Sequence, residues 1–515
     1  MKQPIFLTIT LEKIVGGGQA LGQLADGRKA FVWGGLPQET VVVRLTKQKS
    51  RFVEGVVTEV ITPSPARTAA QDPDSYLSTS PWQIMTPQAE QHYKAALIAE
   101  AYSLHGITLP GPIELYQDDT LYGYRNKIEF SWYSDAVVPQ AVPQKEPEAS
   151  LGPASSSDGT HAVEMDKANR QELLHDTLDL AFYTRGSKGK IPVDGTHLAR
   201  PEINQLAHAI RDTLAASHIS ARQLKTLLIR CDQSGSCVWQ LYVRDRLPEI
   251  ITADEAAKLP AQGGEIIYSD PRSPASRITE SLACFGNTAL TDTILDVPFR
   301  YTAESFFQIN LPVYEQALRD MRQWVPYNKA RQERQLAQLA AHDNTDSQQR
   351  AISQKKSGQL HVGPGLFSDD IRAVKLSTLD LYAGVGTIGL TIGRGNVTLV
   401  EINADAVREM QRNITELDRT DAHAVLAPSE QALEYITGDQ LVILDPPRAG
   451  LHPKVIATLL QHLPPRILYL SCNPVTQARD VALLQQRYHI AWHRGYNFFP
   501  RTPHSEYLVV LDRAN

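Results

Sequence analysis

Four short apolar runs in the last third of the chain constrain the fold most strongly. They cover residues 377–381, 397–400, 441–444 and 466–470, and helical patterns separate them. Apolar runs of strand length that alternate with helices predict a parallel sheet covered by helices. We therefore expect an α/β, Rossmann-like domain at the C-terminal end of the chain.

A polar or reactive residue stands at or next to the end of each run. These residues are Tyr382, Glu401, Asp445 and Cys472. In an open α/β sheet, ligands bind beyond the carboxyl ends of the strands. We therefore expect the four residues to converge on one edge of the sheet, and this convergence is stronger evidence for a site than any single motif.

The segment 384–389 reads Gly-Val-Gly-Thr-Ile-Gly and matches the GxGxxG pattern of a strand-to-helix turn. This pattern, with an acidic residue such as Glu401 about 20 residues later, fits a dinucleotide and S-adenosyl-L-methionine equally well. The downstream motifs separate the two ligands. A dehydrogenase gives no reason for Asp-Pro-Pro-Arg at 445–448 followed by Ser-Cys-Asn-Pro at 471–474, whereas a base-modifying transferase does.

Cys472 allows two interpretations. A free cysteine at a strand end is usually a small buried apolar residue. At a ligand-binding edge, however, a cysteine can act as a nucleophile if its thiolate is stabilised. Cys231 and Cys237 flank a predicted hairpin turn, and we expect them to be structural. Neither they nor Cys284 form a CxxC pattern, so we predict no metal site.

The first part of the chain predicts a small β-barrel. Strand-like runs cover residues 6–10, 29–33, 40–45 and 55–60, and glycine-containing turns separate them. Lys47, Lys49 and Arg51 cluster at one turn. Such a cluster is either a solvated hairpin tip or part of a platform for single-stranded nucleic acid, and the sequence leaves both open.

We divide the chain into three predicted domains. Residues 1–64 form the barrel, 65–298 a central α+β domain, and 299–515 the α/β domain. A helix is predicted over about 87–104, and it is a candidate for packing on the C-terminal domain. Two polar insertions are expected, a flexible one at about 136–170 and another at about 328–370.

The bulk composition predicts a cytoplasmic, globular protein. The chain has 515 residues, four cysteines and a net charge of −6. The few cysteines favour a reducing compartment, and we expect neither a secretory signal nor a membrane span. The negative charge argues against a protein covered with nucleic acid, but it leaves room for a local basic groove. A monomer is the default expectation.

The motifs together resemble the RNA uracil-5-methyltransferase family, in the form that carries an N-terminal, OB-like TRAM barrel. The resemblance extends along most of the chain. Its main segments are Gly-Tyr-Arg-Asn-Lys at 123–127, Ser-Phe-Phe-Gln-Ile-Asn at 305–310, Asp-Leu-Tyr-Ala-Gly-Val-Gly at 380–386, Ile-Leu-Asp-Pro-Pro-Arg at 443–448, Tyr-Leu-Ser-Cys-Asn-Pro at 469–474 and Phe-Pro-Arg-Thr-Pro-His-Ser-Glu at 499–506.

The resemblance implies methyl transfer from S-adenosyl-L-methionine to carbon 5 of a uridine in RNA. It makes Cys472 the nucleophile that adds to C6 of the uracil and Glu506 the general base. It gives contacts with the cofactor to Gln308, Tyr382, Thr387, Glu401 and Asp445. A TRAM barrel favours 23S ribosomal RNA over transfer RNA as the substrate. A non-catalytic RNA-binding protein is the alternative, although RNA binding requires neither Cys472 nor Glu506.

Three positions depart from the family pattern. Many relatives with a TRAM barrel carry a four-cysteine iron–sulfur site, but residues 67–93 contain no cysteine here, so we predict no cluster. The usual aspartate before the Phe-Pro segment is replaced near Asn497. An acidic position after the third sheet segment reads Pro-Ser-Glu at 428–430, and we assign no ligand role to Ser429.

Overall fold

The computed structural model describes residues 3–134, 178–185, 187, 189–274, 276–325 and 377–514. The two predicted insertions, at about 136–170 and 328–370, lie outside the described residues. Among the described helices, none combines the length and the apolar character needed to cross a membrane.

The N-terminal part of the chain folds into a closed five-stranded barrel with the strand order β1-β2-β3-β5-β4. Its strands are β1 (Phe6–Ile14), β2 (Ala20–Gln23), β3 (Lys29–Trp33), β4 (Thr40–Gln48) and β5 (Phe52–Thr62). Alternate residues such as Ile9, Leu11, Val41 and Val43 fill its interior. The predicted barrel is confirmed. Only the four-residue β2 was missing from the sequence prediction, because so short a strand carries little pattern.

A seven-stranded sheet forms the middle of the molecule, in the order β13-β12-β11-β10-β7-β8-β9. The elements of this region are α1 (Tyr76–Thr79), α2 (Pro87–Leu104), β6 (Leu115–Tyr116), β7 (Lys127–Tyr133), β8 (Asp179–Tyr183), β9 (Lys190–Pro192), α3 (Pro201–Ala216), β10 (Leu224–Cys231), β11 (Cys237–Val243), α4 (Ala253–Ala256), β12 (Gly263–Tyr268) and β13 (Glu280–Gly286). Helix α3 covers one face of this sheet with buried aliphatic residues. Cys231 and Cys237 face each other at the end of the β10–β11 hairpin, and both are buried.

The C-terminal part contains an eight-stranded sheet in the order β18-β17-β16-β19-β20-β22-β21-β6. Its elements are β14 (Ala289–Ile294), β15 (Val297–Thr302), α5 (Leu311–Gln323), β16 (Ser377–Leu381), α6 (Thr387–Ile392), β17 (Val397–Glu401), α7 (Ala404–Glu416), β18 (Ala422–Leu426), β19 (Gln440–Leu444), α8 (Pro453–His462), β20 (Arg466–Ser471), α9 (Pro474–Leu484), β21 (Tyr488–Tyr496) and β22 (Glu506–Arg513). Strands β14 and β15 form a separate hairpin, and two 3₁₀ turns cover Ser429–Gln431 and Leu433–Tyr435.

The five strands from β16 to β20 are parallel, which confirms the predicted Rossmann-like sheet. The sheet then changes direction, because β22 runs antiparallel to both β20 and β21. The amino end of β22 therefore lies at the same edge of the sheet as the carboxyl ends of the parallel strands.

The segment that follows the barrel is built into the C-terminal sheet. Thr86 accepts a hydrogen bond at the start of α2, and Pro87 occupies its first turn, as expected of a helix N-terminus. The buried side of α2 packs against α9, where the Tyr102 hydroxyl donates to Gln477 Oε1 at 3.1 Å. Strand β6 extends the sheet by pairing in parallel with β21.

Candidate active site

The predicted convergence of polar residues is present at the carboxyl edge of the parallel strands. Tyr382, Glu401, Asp445 and Cys472 follow or end the strands β16, β17, β19 and β20, which are neighbours in the sheet. Glu506 begins β22 at the same edge. Ser471 pairs with Tyr507 in the antiparallel β20–β22 register, so the next positions, Cys472 and Glu506, are also across from each other.

A cleft at the end of β16 contains four of the five residues expected at a cofactor. Its walls include Gln308, Tyr382, Thr387 and Asp445. Tyr314, on α5, holds the Thr387 side chain through a hydroxyl contact of 2.8 Å. Four residues that the sequence predicts at a cofactor therefore line the same cleft, although the first and the last are more than a hundred positions apart in the chain.

The floor of this cleft is the glycine-rich turn. Tyr382, Gly384 and Gly386 all have a positive φ, of 66°, 57° and 88°. A Cβ at Gly386 would lie 2.9 Å from the Leu390 side chain, so a larger residue would force this turn to move. The glycines therefore allow the backbone to line the cleft closely, as the motif predicts.

Glu401 is not among the residues that line this cleft. Its carboxylate accepts hydrogen bonds from the backbone N–H groups of Gly384 at 3.0 Å and Asn403 at 2.8 Å. It therefore anchors the glycine-rich turn to the end of the neighbouring strand β17.

Asp380, which closes the first apolar run together with Tyr382 and was expected at this edge without a specific role, is buried in the site. Its Oδ2 atom accepts the Gly389 N–H at 2.8 Å, which ties β16 to helix α6. Burial raises the pKa of this carboxyl to about 8, and the charges of Asp445 and Glu401 add to the effect. The only signal in the sequence was its position inside an otherwise apolar strand, one residue before the strand's end.

Cys472 is partly exposed and lies between β20 and the first turn of α9. Asn473 caps this helix, and its side-chain oxygen accepts the Val475 N–H at 3.3 Å. Burial, with the nearby carboxyls of Glu506 and Asp445, raises the pKa of the Cys472 thiol to about 12, while Arg448 opposes them. The thiol of the ligand-free site is therefore protonated at neutral pH.

Glu506 and Asp445 form an acidic pair beside the thiol. The Glu506 side chain is buried, and its Oε2 atom has no hydrogen-bond partner among the described residues. Burial, and then the charge of Asp445, raise the pKa of Glu506 well above its usual range. Burial also raises the pKa of Asp445 to about 7. Both carboxyls therefore keep a proton to a higher pH than ordinary carboxyls do.

Arg448 is the cation that faces this acidic pair. Its positive charge lowers the pKa of both Cys472 and Glu506. The Asn473 amide and the Thr476 hydroxyl donate to the Arg448 carbonyl at 2.9 and 3.1 Å, which fastens its loop to the start of α9. The sequence analysis quoted Arg448 as the last residue of a motif but assigned it no role.

A cavity of about 450 Å³ opens beside Cys472. The loop Val15–Gly17 of the barrel forms one side, and one face of α2 forms another. The remaining walls are Arg448, the start of α9 and the segment just before Glu506. All three predicted domains thus contribute to the cavity beside Cys472, and Gly18 of the barrel packs so closely that its Cβ would lie 2.3 Å from Pro503.

A buried polar network joins α2 to the segment before β22. Lys94 Nζ donates to Glu90 Oε1 at 2.8 Å and to Asn497 Oδ1 at 2.5 Å. Glu90 also accepts the backbone N–H of Arg501, at 3.0 Å. Asn497, which departs from the family pattern, thus has a structural partner in this chain. Its amide also donates to Glu90, at 3.0 Å.

Polar contacts hold the cysteine-free segment after the barrel. Arg67 Nε donates to Glu39 Oε1 at 2.5 Å, and Asp72 accepts hydrogen bonds from Thr196, His197 and Gln83. Within the described ranges, no group of three or more His, Cys, Asp or Glu side chains could hold a metal ion. Ser429, another departure, is buried and hydrogen-bonded to the Tyr382 side chain.

Comparisons with known proteins agree with the motifs. Residues 395–514 match the family model of tRNA (uracil-5-)-methyltransferase. An uncharacterized RNA methyltransferase of Nitratidesulfovibrio vulgaris is 25% identical to this chain, over 98% of this chain and 95% of its own length. Another, from Thermosynechococcus vestitus, is 24% identical and covers 99% of this chain and 98% of its own.

The fold is also similar to a solved structure. This is the tRNA (uracil-54, C5)-methyltransferase of Pyrococcus abyssi in complex with S-adenosyl-L-homocysteine, with a TM-score of 0.64 and 19% sequence identity. The match covers 98% of this chain and 100% of that protein. This likeness shows a similar fold, while the family model and the relatives confirm the family resemblance that the motifs predict.

Proposed function

We propose that this chain, whose motifs resemble the RNA uracil-5-methyltransferase family, transfers a methyl group from S-adenosyl-L-methionine to carbon 5 of a uridine in RNA. The observation that carries the proposal is the position of Cys472 directly across a strand pair from Glu506. This reaction requires a nucleophilic thiol and a carboxyl base close together. RNA binding alone requires neither.

The residues of the β16 cleft fit S-adenosyl-L-methionine. Gly384 lines the cleft at a positive φ and leaves room for a ligand against the backbone. The carboxyl of Asp445 lies at the side of the cleft nearest the thiol and complements a positively charged sulfonium. Gln308, Tyr382 and Thr387 supply polar groups along the wall. Bound there, the cofactor supplies an electrophilic methyl group.

Cys472 supplies the nucleophile of the reaction. Carbon 5 of uracil is a poor nucleophile, so the thiolate first adds to C6 and converts the ring to an enolate that is nucleophilic at C5. The pKa of about 12 means that the thiol needs help to ionise. The thiol is partly exposed, so its proton can pass to solvent, and the positive charge of Arg448 favours the thiolate that remains.

Glu506 completes the reaction as a general base. After C5 has received the methyl group, its remaining hydrogen leaves as a proton, and the electron pair of the C–H bond forms the C5–C6 double bond as the C6–S bond breaks. The Oε2 atom of Glu506 has no other partner in the described part of the chain and is free to take this proton. Its raised pKa makes the ionised Glu506 carboxylate a stronger base than an ordinary carboxylate.

The cavity beside Cys472 is the proposed entrance for the uridine. At about 450 Å³ it lies in the size range of small-molecule pockets. Its position between the barrel and α2 suits a nucleotide that leaves its stack to expose C6. This arrangement supports RNA binding by the barrel and the central domain together.

We retain ribosomal RNA as the predicted substrate, with transfer RNA as the second candidate. The barrel favours ribosomal RNA by family analogy. The description of the matching family model and the name of the Pyrococcus abyssi enzyme favour transfer RNA. We also propose that the protein works without an iron–sulfur cluster, which is supported by the polar contacts of Glu39 and Asp72 in the cysteine-free segment.

A methyl-transfer assay tests the proposal. Total RNA from cells that lack the protein is incubated with labelled S-adenosyl-L-methionine and either the wild-type protein or the Cys472→Ala variant. We expect 5-methyluridine only with the wild-type protein, and size fractionation of the labelled RNA separates ribosomal from transfer RNA. A folded wild-type protein that binds RNA and produces no 5-methyluridine would favour the non-catalytic alternative.

A further inference from the structure

A second cavity lies at the junction of the central domain and α5. Its volume is about 190 Å³, and its walls come from the segment 118–126, the start of α3, the β10–β11 turn and residues 309–312. The segment 306–310 borders both this cavity and the cofactor cleft: Gln308 lines the cleft, and Asn310 lines the cavity. The proposed function makes no use of this second cavity.

The cavity contains buried amide groups without partners. Asn310 is 1% exposed, yet neither its Nδ2 nor its Oδ1 atom has a hydrogen-bond partner among the described residues. Asn126 is 4% exposed, and its Oδ1 atom is likewise unpartnered within the described chain. Buried polar groups are nearly always paired, because an unpaired one keeps its full desolvation cost. Three such atoms around one cavity therefore indicate a polar ligand.

Asn310 also departs from its expected local role. It is the N-cap residue of α5, a position where asparagine normally accepts a hydrogen bond from the helix, but its side chain makes no such bond. The side chain lines the cavity instead. Its amide can present both a donor and an acceptor to a ligand.

The neighbouring bonds specify what kind of ligand fits. Asn126 Nδ2 donates to the Gln308 carbonyl at 3.0 Å, which orients its free oxygen as an acceptor. With Asn310, the cavity thus offers two acceptors and one donor. An exocyclic amino group beside a ring nitrogen or carbonyl matches this set, as in adenine, cytosine and guanine. Uracil presents one N–H between two carbonyl groups and matches it less well.

The surroundings favour a nucleotide of an RNA strand. Tyr124 gives the cavity an aromatic wall, and its hydroxyl donates to the Pro500 carbonyl at 3.0 Å, in the segment that leads to Glu506. Arg200, at the start of α3, also lines the cavity, where its guanidinium is paired with Glu202 at 3.2 Å, while Asp118 adds a further acceptor. The cavity is therefore in direct contact with the segment that leads to Glu506, the proposed general base.

We propose that this cavity binds a second RNA nucleotide, one that flanks the target uridine and carries an exocyclic amino group. The inference rests on the proposed function, because it takes RNA as the substrate. It adds a site that selects RNA by a base other than the methylated one. The competing outcome is a cavity that holds only ordered water.

Binding of unpaired RNA strands tests the proposal. Fluorescein-labelled dodecamers of uridine alone and of alternating uridine and cytidine are titrated with the wild-type protein and with Asn310→Leu, which has a similar volume but no amide. Both strands supply a target uridine, so they differ only in the flanking base, and we expect the wild-type protein to bind the uridine–cytidine strand about tenfold more tightly than the uridine strand. Asn310→Leu should bind both strands with the affinity for uridine, and its melting temperature should be no lower, because an unpartnered buried amide has been removed.

Two further variants keep the result interpretable. Asn287→Leu makes the same change at an exposed position of the central domain and should retain the base preference. If Asn310→Leu does not fold, Asn310→Asp takes its place. This variant replaces the donor by an acceptor without changing the shape of the side chain, and it should also lose the base preference. A wild-type protein without base preference, or Asn310 variants that keep it, would overturn the proposal in favour of a cavity that holds water only.

The proposal can fail separately from the proposed function. If 5-methyluridine forms but the Asn310 variants keep the base preference, the cavity proposal is wrong and the reaction stands. If the preference depends on Asn310 but no 5-methyluridine forms, the cavity is a base-binding site of an RNA-binding protein.

Discussion

Cys472 lies directly across the β20–β22 strand pair from Glu506. The relationship follows from the register, because Ser471 pairs with Tyr507 in the antiparallel β20–β22 ladder. It explains the charge balance of the site, since the Glu506 carboxyl raises the pKa of the thiol and Arg448 lowers the pKa of both groups. Ionisation of the thiol is therefore coupled to the state of the proposed base.

Replacing the proposed base should trap the reaction before its end. In Glu506→Gln the methylated adduct cannot lose its C5 proton, so the thiolate cannot leave. We expect turnover to fall by about 10²- to 10⁴-fold, which is the usual contribution of a general base. RNA bound covalently to the protein should accumulate and be visible on a denaturing gel. The matched change Glu416→Gln, at an exposed position on α7, should leave turnover intact.

Removing the Arg448 charge should make the thiol less reactive. Arg448 lowers the pKa of Cys472, so Arg448→Ala raises it and reduces the thiolate fraction at any pH below about 12. Alkylation of Cys472 by iodoacetamide, followed by peptide mass spectrometry, should slow several-fold. The experiment needs a Cys284→Ser background, because Cys284 is exposed. An unchanged rate in Arg448→Ala would show that this charge does not act on the sulfur. Arg487→Ala serves as a surface control.

Asp380 should make the protein less stable as pH rises. Its pKa is about 8 in the folded state and 3.8 in the unfolded reference, so folding holds a proton that the unfolded chain releases. Above pH 3.8 the contribution of this group to the unfolding free energy therefore falls, until the pH passes about 8. Asp380→Asn cannot ionise and should remove this part of the slope, with a gain on the order of a few kcal/mol near neutral pH. Urea unfolding at several pH values measures it, and an unchanged slope would contradict the assignment.

The buried Lys94 network should contribute strongly to stability. Lys94→Met removes the nearer of two cations beside the buried Glu90 carboxylate and leaves Arg501 at 3.6 Å, so we expect a loss of up to about 3–5 kcal/mol, the typical cost of breaking a buried pair. The matched change Lys13→Met removes an exposed pair with Glu100 and should cost less than about 1 kcal/mol. Denaturant unfolding compares the two. Equal losses would mean that the network does not hold α2 against the C-terminal segment.

The sequence predicted those parts of the site whose geometry follows from local chemistry. The glycine-rich turn adopts positive φ at Gly384 and Gly386, where only glycine does so without strain. The parallel strands bring Asp445 and Cys472 to one edge, as the order of apolar runs predicts. The position of Glu506 did not follow from spacing, because the reversal of β22 within the sheet leaves no mark on the local pattern.

Contacts between distant segments account for what the sequence did not predict. Lys94 and Asn497 lie about four hundred residues apart in the chain, so their 2.5 Å contact has no local signal. The sequence marked Asn497 only as a departure from a family pattern, whereas the fold makes it a partner of a buried cation. The effect of the Arg448 charge on Cys472 and Glu506 could not be predicted for a similar reason. It depends on strands β20 and β22, which become neighbours only in the folded sheet.

The most direct measurement of the central claim is the identification of a covalent bond between Cys472 and RNA. An RNA substrate that carries 5-fluorouridine has fluorine where the C5 proton would leave, so a base cannot release the adduct. After incubation with S-adenosyl-L-methionine and digestion, we predict that mass spectrometry finds a methylated fluorouridine nucleotide attached to the peptide that contains Cys472. Methylation of ordinary RNA without any such adduct, or an adduct at another residue, would contradict the account.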